Sequence, residues 1–222
     1  PETMAAVASS ERVAPTIASS SAIEHTTQPM VTGSSVLAVR YDGGVMLSAD
    51  TLGAYGNMLR FPDVQRLVKV GEGVLLGASG EISDFQYIVR VLDRLRVEDE
   101  CSEDGGSLRA DEIHHYLTRV LYNRRNKFNP LWNQLIVAGK GKDGAVVGVV
   151  DQIGTAYTAD FAATGLGKHM AIPLMRERWR ADMTEGEARS LLEDCMRVLY
   201  YRDCRTINRI QLAKVTDEGA VT

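Results

Sequence analysis

Long apolar runs are missing from this 222-residue chain: none approaches the ~18 residues that a membrane-spanning helix needs. The N-terminus lacks a basic region followed by an apolar stretch, which argues against a secretory signal. Cysteine is scarce. Cys101, Cys195 and Cys204 are an odd number with no C-x-x-C pair, and no histidine stands at ligand spacing to them. A disulfide framework and a metal site are thereby disfavoured, and reduced thiols in the cytosol or nucleus fit best. Positive charge is not in excess either. Lys and Arg number 25 against 29 Asp and Glu, a formal charge of -4, which speaks against a generic nucleic-acid binder. What remains is 45% apolar and 24% charged residues, the composition of a globular chain long enough for one large domain.

The beginning of the chain differs from the rest. Pro1 to Thr27 is rich in Ser, Thr and Ala, without an aromatic residue or a sustained apolar period. It reads as a disordered or removable leader, so the chain divides into a leader over 1–26 and a folded domain over 27–222.

Within the domain, Val36 to Tyr41 is rich in strand formers, Asp42-Gly43 supplies positive-φ positions of a tight primed turn, and Val45 to Ala49 returns. Arg66 to Val70 and Gly73 to Ala78 read as a second hairpin. Ser83 and Gln86 form a capping-box pattern opening a helix with Phe85, Val89, Leu92 and Leu95 on one face. Glu98 to Gly106 reads as an acidic loop. A second helix is expected over Ala110 to Asn126, stopped by Asn129-Pro130. Its adjacent His114 and His115 point in two directions, which suits packing or solvation rather than ligation. A third hairpin pairs Trp132 to Ala138 with Ala145 to Val150, and Thr155 to Phe161 adds one short strand. A helix over Leu166 to Trp179 is bent or started near Pro173. Another begins at the capping box of Thr184 and Glu187 and runs to Arg202, and a last strand covers Ile207 to Val215.

Tight hairpins demand antiparallel pairing, and strands such as Val36 to Tyr41 and Leu135 to Ala138 are apolar on both faces. Two packed antiparallel β-sheets flanked by helix pairs, an α/β (α+β) sandwich, would bury both faces. Gly139 to Gly144 spells G-x-G-x-x-G, but a strand rather than a helix follows, so it reads as a hairpin turn and not a dinucleotide site. Arg124-Arg125-Asn126-Lys127 ends a helix, where cations suit the dipole; a solvated end and a contact with another subunit are both open. Tyr200 and Tyr201, read beside Trp179, are expected to be buried in the core or an interface rather than to stack on a ligand.

The run Gly33-Ser34, with Asp50 closing the second strand and Arg66 beyond it, resembles the first hairpin of proteasome beta-type subunits. The order of elements is similar to that of N-terminal-nucleophile hydrolases. Thr27 to Gly33, Asn129-Pro130-Leu131-Trp132-Asn133, and Cys195 to Asp203 narrow the resemblance to the non-catalytic seventh beta type of eukaryotes.

In active members a Thr freed at the N-terminus is the nucleophile and its own amine the base. The resemblance puts Ser34 at that position and implies that the chain is cut just before Thr27 (processing positions Glu24, His25, Thr26 and Thr27) by a neighbouring subunit. Ser34 then stays inside the chain. Arg66 stands where the family has a lysine, and a guanidinium does not release its proton. Asp50 and Asp203 match the family's aspartates, Thr164 and Thr206 stand where it uses serines, and Gly80 matches an oxyanion donor. The site is therefore expected to be degenerate.

The resemblance implies a structural subunit of the particle that degrades ubiquitin-tagged proteins, in cytoplasm and nucleus, with no cofactor or metal. Its expected partners are the first and sixth beta types in the ring, the alpha ring and the opposite beta ring, with no nucleic acid and no membrane. The family's C-terminal tail to the opposite ring is not matched by Thr216 to Thr222. The alternative is an active peptidase that uses Ser34 after self-cleavage at Gly33.

Overall fold

A computed structural model describes residues 28–101, 107–216 and 219–221. The leader over 1–26 and the processing positions Glu24, His25, Thr26 and Thr27 lie outside the described residues. Thirteen strands and five helices follow in chain order: β1 (Val31–Gly33), β2 (Val36–Tyr41), β3 (Gly44–Asp50), β4 (Gly53–Tyr55), β5 (Met58–Phe61), β6 (Leu67–Lys69), β7 (Val74–Glu81), α1 (Ile82–Glu100), α2 (Ala110–Asn126), β8 (Asn133–Gly141), β9 (Gly144–Val150), β10 (Ala156–Thr158), β11 (Phe161–Ala163), α3 (Gly167–Met170), α4 (Ile172–Arg178), α5 (Glu185–Arg202), β12 (Ile210–Thr216) and β13 (Gly219–Val221). An eight-stranded sheet has the order β10-β9-β8-β7-β1-β4-β5, with β6 also on β7, and a five-stranded sheet has the order β11-β2-β3-β12-β13. All pairings are antiparallel.

The doubly apolar strands are explained by three apolar layers. Val36 and Ala38 of β2 point between the sheets with Leu47 of β3, Ile136 of β8 and Val149 of β9. Leu37 and Val39, one residue out of phase, face α4 and α5 with Met175, Leu192 and Leu199. In the larger sheet Leu76, Leu135 and Val137 turn the other way, onto Phe85, Ile113 and Leu117 of α1 and α2. Period-two alternation thus divides each central strand between two cores. Each fully buried leucine contributes roughly 1.5–3 kcal/mol of burial.

Local readings differ from the structure in five places. Of the Asp42-Gly43 pair only Gly43 has positive φ, 95°, so the turn is not of the doubly left-handed primed type. Ser83 does not cap α1: the N-cap is Glu81, two residues earlier, because β7 runs into the helix without a linker. Residues 98–100 continue that helix instead of opening the loop. The strand expected over Thr155 to Phe161 is two strands in different sheets, β10 on β9 and β11 on β2. Of the two placements expected for Tyr200 and Tyr201, their 45% and 74% exposure rules out the core and leaves an interface, while Trp179 packs its ring on Phe161.

Candidate functional site

β1 carries the chain into the site from an interior position of the larger sheet. Thr32 pairs with Ala54 of β4 on one side and with Glu81 of β7 on the other, and Gly33 pairs with Gly80. Glu81 fastens this segment further. Its buried carboxylate accepts from the backbone N–H of Met30 at 2.6 Å and of Val31 at 3.2 Å, and from the Ser83 hydroxyl at 3.0 Å.

Ser34 follows at once, half-buried, at a cleft of about 310 Å³ lined by Gly33, Gly80, Asn133, Asp203 and Arg205 among others. Its hydroxyl donates to Oδ2 of Asp203, the residue that ends α5. The other Asp203 oxygen accepts from the Arg205 backbone N–H at 2.9 Å. The Ser34 nitrogen is acylated by Gly33, so its lone pair is delocalised into a peptide bond and cannot act as a base.

Arg66 is wholly buried. Nε donates to the Asp50 carbonyl oxygen at 2.9 Å, Nη1 to the carbonyls of Ser34 at 2.6 Å and Ala78 at 3.4 Å, and Nη2 to the Ser35 carbonyl at 3.0 Å and to Asp50 Oδ1. A guanidinium offers five N–H donors, and these contacts draw on every nitrogen. The Arg66–Asp50 ion pair has no exposed side-chain surface. Burial pushes the Asp50 carboxyl upward, opposed by the charge of Arg66 and by the N–H groups of Leu52 and Ile207. Burial likewise lowers the Arg66 guanidinium, opposed by Asp50 and more weakly by Asp203. Starting far above neutrality, the guanidinium keeps its proton and the pair stays ionic.

Two glycines are required by close approach. A Cβ on Gly33 would collide with Cδ of Arg66, so this arginine fits only beside a residue without a side chain. Gly80 has φ of 94°, and a Cβ there would run into the Trp132 carbonyl oxygen. Gly80 lines the same cleft as Ser34.

Ser34, Asp50, Arg66, Gly80 and Asp203 are thus gathered at the junction of the two sheets. Thr164 and Thr206 have their hydroxyls on backbone groups. Thr164 Oγ1 accepts from the Val36 N–H at 2.8 Å, and Thr206 Oγ1 donates towards the carbonyls of Asp203 at 2.9 Å and Leu199 at 3.3 Å. The first pins β2 to the turn after β11; the second closes the end of α5.

Three supporting residues escaped the sequence reading. Glu81 holds β1. Asn133 donates to the carbonyls of Ser79 at 3.1 Å and Glu81 at 2.8 Å, bracketing Gly80. Gln211 of β12 accepts from the Leu67 N–H at 3.1 Å and donates to its carbonyl at 2.9 Å, imitating a strand partner between the sheets beside Arg66. Single polar residues in apolar strands were the available signal, and nothing near them in sequence gave their partners. Among the described residues no group of three or more His, Cys, Asp or Glu side chains is arranged to hold a metal ion.

The family model described as "Proteasome subunit" matches residues 30–215. The chain is 50% identical over 196 residues to the Arabidopsis thaliana proteasome subunit beta type-4, covering 88% of this chain and 80% of that one. It is 46% identical over 204 residues to the probable proteasome subunit beta type-7 of Schizosaccharomyces pombe, covering 89% and 78%. With the Saccharomyces cerevisiae proteasome subunit beta type-7 it shares 40% identity over 215 residues, 92% and 81% of the two chains. The relatives therefore carry both type numbers, 4 and 7.

Proposed function

This chain belongs to the proteasome subunit family as a beta-type subunit of the core particle, and from that premise we propose that it is non-catalytic. The observation that carries the reading is the position of β1. An extended peptide reaching Ser34 would add as a strand to the free edges of its neighbours. β1 already occupies that place, between β7 and β4. It is also what joins the β4–β5 hairpin to the rest of the larger sheet. Cutting at Gly33 and releasing the preceding segment would remove a strand from the middle of a sheet.

The proton inventory supports the same reading. The Ser34 hydroxyl has no amine beside it, and the cation that replaces the family's lysine cannot accept a proton. Arg66 instead ties β3, β7 and the Ser34-Ser35 link between β1 and β2 together through backbone carbonyls. On this reading the leader is removed before Thr27 by a neighbouring subunit. The chain then sits between the first and sixth beta types, against the alpha ring and the opposite beta ring, in cytoplasm and nucleus.

Particles purified through a tag on the full-length chain test this. Alpha and other beta subunits are expected to co-purify in fixed stoichiometry, and Ser34→Ala particles to hydrolyse each peptide class at the wild-type rate. Loss of one peptidase activity in the Ser34→Ala particles, with assembly intact, would establish the opposite, an active Ser34 peptidase.

A further inference from the structure

The basic run at the end of α2 is not used by the site. Its helix ends in a paired cap: the Asn129 N–H donates to the Arg124 carbonyl at 3.1 Å and the Phe128 N–H to the Arg125 carbonyl at 3.0 Å. These are the two bonds of a Schellman motif, and the residue between them must be left-handed. Glycine ordinarily takes that position, because a Cβ disfavours it. Here it is Phe128, with φ of 54°, the one non-glycine residue of positive φ among the described residues.

The ring gains little inside the chain. Phe128 is 88% exposed, more than any other large apolar residue described. An aromatic held in a backbone conformation that glycine would adopt more easily, and packed on little of its own fold, has its explanation outside the chain.

The surroundings indicate what lies there. The Arg124 guanidinium sits over the ring of Tyr87 at 5.9 Å, and that of Arg125 over Tyr122 at 5.8 Å. Both tyrosines are about half exposed, and Lys127 is exposed beside them. Nε of Arg124 is buried without a hydrogen-bond partner. Exposed aromatics with arginine are the residue types that dominate protein interfaces. The patch is cationic on a chain of net charge -4, so its complement is an acidic surface.

We propose that Phe128 is the anchor by which this chain seats against an adjacent core-particle subunit, its ring entering an apolar recess bordered by carboxylates that face Arg124, Arg125 and Lys127. The inference rests on the reading of the chain as an assembled, structural subunit.

The test is a competition. Differently tagged wild-type and Phe128→Gly full-length chains are co-expressed, and their ratio in purified core particles is compared with their ratio in total extract. Phe128→Gly is expected to be depleted at least tenfold from particles, and Phe128→Trp to enter as wild type does. The isolated Phe128→Gly chain is expected to melt at or above the wild-type temperature, since glycine suits the left-handed cap. Equal entry of Phe128→Gly overturns the anchor while leaving the assembly reading intact. A lower melting temperature for Phe128→Gly also overturns it, by making the ring a packing residue. Concentration-dependent self-association lost in Phe128→Gly, with entry into particles unchanged, would assign the ring to a second copy of this chain and contradict the proposal. Absence of the wild-type chain from particles would defeat the assembly reading and the anchor with it.

Discussion

Nη1 of Arg66 donates to the carbonyl oxygen of Ser34 at 2.6 Å, while the Ser34 hydroxyl turns to Asp203. The cation of the site therefore holds the backbone beside the hydroxyl and leaves the hydroxyl itself to a carboxylate. Charge, shape and position of Arg66 all serve the junction of the sheets.

Replacing Arg66 by Met removes one partner of a fully buried ion pair and strands four backbone carbonyls. A loss of about 3–5 kcal/mol is expected from chemical denaturation. Arg66→Lys keeps the charge but cannot reach the same acceptors, and should cost about 1–3 kcal/mol. Because the Ser34 nitrogen remains an amide, Arg66→Lys is also expected to add no peptidase activity to assembled particles.

Gly80→Ala would place a Cβ against the Trp132 carbonyl at a φ of 94°. Strain of about 1–3 kcal/mol is expected from the backbone alone. Thermal unfolding of the variant should be lowered accordingly, and the Asn133 bonds that bracket this bend offer it no room to relax.

Cys195 tests burial by chemistry. Its thiol is fully buried on α5, and burial pushes its pKa up from 9.0 to about 12. Cys101 and Cys204 are exposed. At pH 8 an alkylating reagent should modify those two and spare Cys195 until the chain unfolds. The raised folded value means that the folded chain keeps a proton which the unfolded chain loses above pH 9.0. Stability from this group is complete below pH 9.0 and declines as pH rises towards about 12. Cys195→Ala should flatten that alkaline decline.

His114 works in the opposite direction. It is buried against Gly148, with Nε2 at 3.1 Å from the Val149 carbonyl, which requires the proton on Nε2. Burial lowers its pKa from 6.5, the Val149 contact opposes this, and His115 adds to the lowering. The unfolded chain takes up the proton first, so the group's contribution is whole above pH 6.5 and is lost as pH falls through the lower folded value. His114→Gln should reduce the acid slope of the denaturation midpoint.

How far the sequence could be read depended on whether a feature was local. The Thr184–Glu187 capping box formed with both bonds, at 3.4 and 2.9 Å, because no strand runs directly into α5 and the cap chooses the start. The similar Ser83–Gln86 pattern did not form, because pairing of Glu81 with Thr32 fixes where β7 ends. Strands apolar on both faces were legible from residue type, and so was the two-sheet sandwich they require. β5 was not, since all four of its residues are exposed and show no alternation. The gathering of Ser34, Asp50, Arg66, Gly80 and Asp203 was expected through family resemblance. Apart from the neighbouring Ser83, the partners of Glu81 lie 50 and 51 residues away and those of Gln211 144 and 145. Only the fold brings them together.

The most direct measurement is the intact mass of this chain taken from core particles treated with a hydroxyl-directed covalent peptidase inhibitor. The account predicts a chain that still contains Val31 to Gly33 ahead of Ser34 and carries no inhibitor. A chain beginning at Ser34 with the inhibitor attached there would contradict it.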